Sequence, residues 1–286
     1  MIRTPLDDKN REAMQDLFSK LEKVVTGDLL VFFGGLSDGV DGLVKDLVED
    51  LNKVKTKSKK ISFVLTTSGG SLTPVQKMVQ VFRHFYSEVD FIVPDYAYSA
   101  GTILCMSGDR ILMNYFSNLG PIDPQVETKD GKYVSALGYL DKISGMLEKA
   151  KNKTLTEAEF LILKDFDLAE LRFYEMSKEL AIDLLKKWLA NYKFKNWIHK
   201  STGSPATLAE KEKRAEEIAN VLSDSNKWKS HGRPISMQEL LDLKLQIDDF
   251  DRNPSLSKAL NEYYNCLTEY IRLHKYSTFI QTRLFL

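Results

Sequence analysis

The sequence predicts an α/β protein whose first half carries a parallel sheet and whose second half is mainly helical. Short β-rich runs alternate with stretches of helical periodicity from Leu29 to about Met113, the pattern of successive βαβ units. From Glu157 onward these runs stop, and Leu, Phe, Trp and Tyr recur at helical spacing instead.

An amphipathic helix is expected first, from about Asn10 to Val25. Leu29–Phe33 is apolar throughout, which suits a strand buried on both faces. Helical periodicity over Gly42–Val54 leads to a second strand, Ile61–Leu65, and Thr73–Tyr86 leads to a third, Val89–Val93. A short helix near Thr102–Ser107 precedes a fourth strand, Arg110–Met113. In the second half Leu161–Tyr192 reads as an apolar helical stretch and Leu208–Val221 as a charged, amphipathic helix. The basic run Lys53, Lys55, Lys57, Lys59 and Lys60 reads as a solvated loop. No Pro/Gly/Ser linker separates the halves, so residues 1–286 read as a single domain, with a core of about 27–150 and helical additions over about 151–286.

Composition excludes several classes. A chain of 286 residues with 43% hydrophobic and 28% charged residues is neither disordered nor a disulfide scaffold. Forty Lys+Arg balance forty Asp+Glu, so no overall field draws it to nucleic acid or to an anionic membrane. Cys105 and Cys266 stand far apart in apolar surroundings, which suits buried thiols in a reducing compartment. Neither they nor the four histidines show metal-ligand spacing, so no metal site is expected. The N-terminus turns acidic at Asp7 and Asp8 and no apolar run approaches about 18 residues, so neither a secretory signal nor a transmembrane segment is expected; a cytoplasmic location is.

Two loops at strand ends carry candidate chemistry. Thr66-Thr67-Ser68-Gly69-Gly70-Ser71 follows the second strand, where adjacent glycines can present unhindered N–H groups to an anion or oxyanion. The structural alternative is a tight turn that needs positive φ, and the absence of Gly-Lys-Ser/Thr excludes a phosphate loop. Tyr96-Ala97-Tyr98-Ser99-Ala100-Gly101-Thr102 follows the third strand. Ser99 opens a helix there, where its Oγ could attack a carbonyl while helix N-terminal amides stabilise the oxyanion; a plain N-cap serine is the alternative.

Three further positions qualify this pair. Pro121 and Pro124 stiffen the loop around Asp123, which suits a positioned carboxylate as well as a turn. Gly35-Leu36-Ser37-Asp38-Gly39 matches Gly-x-Ser-x-Gly, but only one strand precedes Ser37 and no upstream loop can supply the second oxyanion donor. His84 and His199 sit beside aromatic residues in expected helices, whereas His231 lies in a Gly- and Pro-containing loop that can aim its ring.

Thr67-Ser68-Gly69-Gly70, Tyr98-Ser99-Ala100-Gly101-Thr102, Leu119-Gly120-Pro121-Ile122-Asp123-Pro124-Gln125 and Ser230-His231-Gly232-Arg233-Pro234-Ile235 together resemble the serine dehydrogenase proteinase family. That family is similar to signal peptide peptidase A, NfeD-type proteases and the Clp proteolytic subunit. The resemblance spans roughly Leu29 to Asp249 and implies a crotonase/Clp-protease-like ββα core, with residues 228–249 returning to it. It implies a serine peptidase without a cofactor, acting on peptide or protein substrates and forming a homo-oligomer, with a peripheral membrane partner compatible. Ser99 would be the nucleophile, and the glycine pair Gly69 and Gly70 with Ala100 would form the oxyanion hole.

The base is less direct. Asp123 stands near the place where Clp-type enzymes carry histidine, and aligning Ile235–Asp248 with the last core helix brings His231 near the third triad position. The expected set is therefore Ser99, His231 and Asp123, with Lys142 or Lys132 as the alternative base of a Ser-Lys dyad. Histidine is favoured because a lysine would need burial to be neutral, and both lysines have polar neighbours. A catalytically inactive peptide-binding scaffold and a crotonase-type acyl-CoA enzyme remain the alternatives for the whole chain.

Overall fold

The computed structural model describes residues 5–54, 58–127, 133–199 and 201–285. Helix α1 (Pro5–Val25) begins earlier than its apolar periodicity suggests, because Pro5 fits a first helical turn and Asp7 and Asp8 favour its positive end. The expected alternation follows: β1 (Asp28–Gly34), α2 (Val40–Lys53), β2 (Lys60–Thr66), α3 (Leu72–Phe85), β3 (Glu88–Ile92), β4 (Tyr96–Ala97), α4 (Ala100–Cys105) and β5 (Arg110–Met113). Next come β6 (Asn118–Leu119), the hairpin of β7 (Gln125–Glu127) and β8 (Tyr133–Ser135), and α5 (Ala136–Lys151).

The apolar stretch Leu161–Tyr192 divides into α6 (Glu157–Lys164), α7 (Leu168–Trp188) and a π-helical turn, Leu189–Lys193. The division falls at Asp167, whose side chain caps α7 by accepting Ala169 N–H at 2.8 Å. His199, expected in a helix, lies in an irregular segment against the Trp197 ring. The chain continues through α8 (Leu208–Ser223), α9 (Ser225–Trp228), β9 (Ile235–Ser236), α10 (Met237–Asp242), β10 (Asp248–Asp249), α11 (Pro254–His274) and β11 (Thr278–Gln281).

Six strands form the main sheet in the order β10-β5-β3-β2-β1-β11, with β11 alone antiparallel. Each central strand feeds both faces. Leu30, Phe32, Phe63 and Phe91 join α2, α3 and the apolar sides of α7 and α8, whereas Leu29, Val31, Val64 and Ile92 pack on α1 and α11. This double burial explains why the strands read as continuous apolar runs. Tyr263 and Phe18, both fully buried, meet edge-to-face at 5.9 Å and lock α11 to α1.

A second sheet of three very short strands, β4-β6-β9, stands beyond the carboxyl ends of β2 and β3. Leu119 pairs in parallel with Ala97 and antiparallel with Ile235, all fully buried. It thereby ties the segment after β3, the proline loop and the 228–236 segment into one platform.

Candidate active site

Ser99 has φ 52° and ψ −117°, and among the described residues it is the one serine with positive φ. These angles mirror the first central position of a type II turn, a conformation that glycine favours and that costs another residue about 1–3 kcal/mol. Ser99 occupies the N-cap position of α4 without making a side-chain capping bond, so the plain capping explanation fails. The surroundings enforce the strain. Tyr98 N–H donates to Thr67 C=O at 2.9 Å, Thr67 N–H donates to Tyr96 C=O at 3.1 Å, and Gly101 N–H donates to Tyr98 C=O at 2.8 Å.

The glycine crest leans directly on this serine. A Cβ on Gly69 (φ +104°) would lie 2.8 Å from Ser99 Cβ and 3.3 Å from Ala100 N. A Cβ on Gly70 (φ +147°) would lie 2.3 Å from Leu36 C=O oxygen, because Leu36 N–H donates to Gly69 C=O and Ser71 N–H donates to Leu36 C=O, each at 2.8 Å. Both positions therefore require glycine for space as well as conformation. The expectation that Gly69 donates to an oxyanion needs correction: its N–H already donates to Thr67 Oγ1 at 3.0 Å. Gly70 N–H and Ala100 N–H have no acceptor among the described residues.

Asp123 is buried, and its Oδ1 lies 2.8 Å from His231 Nδ1. The platform accounts for the meeting of residues 108 apart in sequence. The antiparallel β6–β9 pair, ending at Leu119–Ile235, brings the loops that carry Asp123 and His231 out side by side. Ile122 N–H donates to Leu222 C=O at 3.0 Å and fixes the proline loop on α8. Burial pushes the Asp123 carboxyl up, but the hydrogen bond and charge of His231, together with smaller hydrogen-bond contributions, outweigh it and hold the group below the usual carboxylate range. Ser135 Oγ, buried without a hydrogen bond of ordinary geometry, is one of these smaller contributors.

Thr102 closes the Ser99 motif, and the sequence assigns it no role. Its Oγ1 lies 2.8 Å from Ala97 C=O and 2.9 Å from Gly120 C=O, and it accepts Gly120 N–H at 2.9 Å. It thus pins α4, and Ser99 with it, to the loop that leads to Asp123. Of the alternative bases, Lys142 stands exposed on α5, without the burial that a neutral catalytic lysine needs, and Lys132 lies outside the described residues. Ser37 is exposed in the turn between β1 and α2 and is not among the positive-φ residues, so the elbow geometry is absent there. Among the described residues no group of His, Cys, Asp or Glu could hold a metal ion.

The structure thus sets a strained serine against a glycine crest, leaves Gly70 N–H and Ala100 N–H unpaired among the described residues, and holds a buried Asp123–His231 pair on the loop that Thr102 ties to α4. Residues 46–269 match the family described as ClpP-like SDH-type serine proteinase, and the chain belongs to that family. Similar curated proteins include two uncharacterized proteins of Methanocaldococcus jannaschii. MJ0137 is 25% identical over 209 residues, covering 72% of this chain and 60% of its own length. MJ1495 is 24% identical over 188 residues, covering 66% of this chain and 52% of its own length. A solved mutant of the 1510-N membrane-bound stomatin-specific protease aligns over 80% of this chain and 81% of that chain, at 13% identity and a TM-score of 0.47.

Proposed function

We propose that this chain is a serine peptidase that hydrolyses peptide bonds through an acyl-enzyme on Ser99. The observation that carries the reading is the positive-φ backbone of Ser99 at the start of α4. Such strain persists only where the surroundings over-determine it, and a serine that caps nothing has no structural reason to occupy it. In this reading His231 keeps its Nδ1–H on Asp123, which leaves Nε2 to take the Ser99 proton during attack and to return it to the leaving amine. Gly70 N–H and Ala100 N–H donate to the tetrahedral oxyanion. Water then attacks the ester, and the same imidazole takes its proton.

An inactive scaffold or an acyl-CoA enzyme would use the glycine crest without needing a strained serine, so Ser99 favours the peptidase over both. The test is turnover of a mixed fluorogenic peptide set by the wild-type chain and by Ser99→Ala. Activity confined to the wild type supports the reading, and activity retained in folded Ser99→Ala refutes it.

Two coarser properties belong to the same proposal. A homo-oligomer is supported by Leu168, Phe173 and Met176, which stand exposed along α7. Sedimentation of a single monomeric species at working concentration would count against it. A cytoplasmic site of action is supported by the unpaired Cys105 and Cys266. Among the described residues no helix is long and apolar enough to cross a membrane.

A further inference from the structure

The segment Asp95-Tyr96-Ala97-Tyr98 leads directly into Ser99. Alternation along β4 turns Ala97 into the core and places Tyr96 and Tyr98 together on the other side, where their rings stack at 5.1 Å and 28°. Asp95 precedes them and Tyr264 reaches in from α11. The Tyr264 hydroxyl lies 3.0 Å from Thr66 Oγ1 and donates to Asp95 Oδ2 over a long 3.4 Å. All four residues are half-buried, so the cluster keeps access to solvent at the edge of the site.

The charge balance of this cluster is unusual for the molecule. The other aspartates drawn toward the interior each have a cationic or imidazole partner: Asp28 has Arg283, Asp90 has Lys60, Asp109 has Arg83 and Asp123 has His231. Among the described residues Asp95 has none. Burial pushes its carboxyl up, and burial, with a smaller contribution from the Asp95 charge, pushes up the phenols of Tyr96, Tyr98 and Tyr264. A half-desolvated carboxylate that receives one tyrosine hydroxyl and lies next in sequence to a stacked pair of tyrosine rings is an environment that attracts an organic cation, through Coulomb and cation–π attraction together.

We infer that Asp95, Tyr96, Tyr98 and Tyr264 form a subsite beside Ser99 that takes a cationic side chain, lysine or arginine, of the peptide substrate. The inference rests on the peptidase reading, and a binding arm keeps its failure distinguishable from the failure of that reading. Fluorogenic peptides carrying Lys, norleucine or Glu at one position, scanned across three residues on each side of the scissile bond, are compared in kcat/KM at neutral pH. At one position the wild type should prefer Lys over norleucine by about tenfold, with Glu poorest. In Asp95→Asn the Lys-to-norleucine ratio should fall toward one, and Tyr98→Leu should lower it part of the way. A wild-type ratio near one at every position overturns the subsite, as does an undiminished ratio in folded Asp95→Asn. If the wild type turns over none of the peptides, the peptidase reading fails separately. Equilibrium binding of the same peptides to Ser99→Ala then decides: tighter binding of a Lys peptide supports the subsite, and equal or absent binding overturns it.

Discussion

Ser99 is held in a strained backbone conformation, whereas His231 is the hydrogen-bond partner of a buried carboxylate. Ser99 makes no capping bond, so Ser99→Ala should change stability by less than about 0.5 kcal/mol while removing turnover. Ser99→Gly accepts positive φ without strain, and urea denaturation should find it at least as stable as Ser99→Ala despite its more flexible unfolded chain. A clearly less stable glycine variant would show that the backbone there is relaxed. His231→Ala should lower kcat/KM by about 10²–10⁴-fold and abolish the acid-side limb of the pH profile. It also leaves the buried Asp123 carboxylate without its partner, at a cost of about 1–3 kcal/mol at neutral pH. The sign of the pH dependence then reverses. In the wild type the folded-state carboxyl is depressed, so its contribution is present above the unfolded value and lost as acid protonates it. In His231→Ala burial, the largest influence on the carboxyl, is opposed only by Ser135 and the Asp123 backbone, so the folded value should lie above the unfolded one and the penalty should relax as pH falls through it. Equal acid limbs in the two stability curves would separate Asp123 from His231.

The elements that position these residues divide into those readable in sequence and those that are not. β1, β2, β3 and β5 were readable because burial on both faces leaves continuous apolar runs. β4, β6 and β9 hold two residues each, too short for any periodicity, and they exist because distant segments pair. The serine and glycine crests could therefore be found at strand ends, while the contact of Asp123 with His231 was reached only through resemblance. α11 and β11 were missed: the helix begins at Asn253, whose side chain accepts Leu256 N–H at 3.2 Å, and β11 closes the sheet edge in a register no local pattern announces. Thr102 tests the platform. Thr102→Val keeps the shape but leaves the buried Gly120 N–H without its acceptor, and should destabilise by about 1–3 kcal/mol. Because the loop leading to Asp123 loosens against α4, kcat should fall more than KM rises. A stable variant with unchanged kcat would show that this threonine does not position the site.

The whole molecule depends on docking its helical half against the parallel sheet. Arg83 of α3 pairs with Asp109 at 2.8 Å and lies 3.8 Å over the Tyr192 ring, while Lys195 pairs with the same carboxylate. Between these groups Lys193 is buried, and burial pushes its ammonium down to about 8. With the unfolded value at 10.5, the unfolded chain binds more protons between the two, so this group makes stability rise with pH across that window. Lys193→Met should remove that rise relative to the wild type in urea denaturation. An identical slope would place the lysine in water rather than between the halves. The continuous apolar cluster from Phe32 and Phe63 to Leu185, Trp188 and Ile218 carries the same junction and explains the absence of a linker in the sequence. In the proposed reading the reactive group is the Ser99 hydroxyl, so the direct test is fluorophosphonate labelling of the wild-type chain followed by peptide mapping. The account predicts a single modified residue, Ser99, with labelling lost in Ser99→Ala and strongly slowed in His231→Ala. Modification at Ser37, or no labelling of the folded wild-type chain, would contradict it.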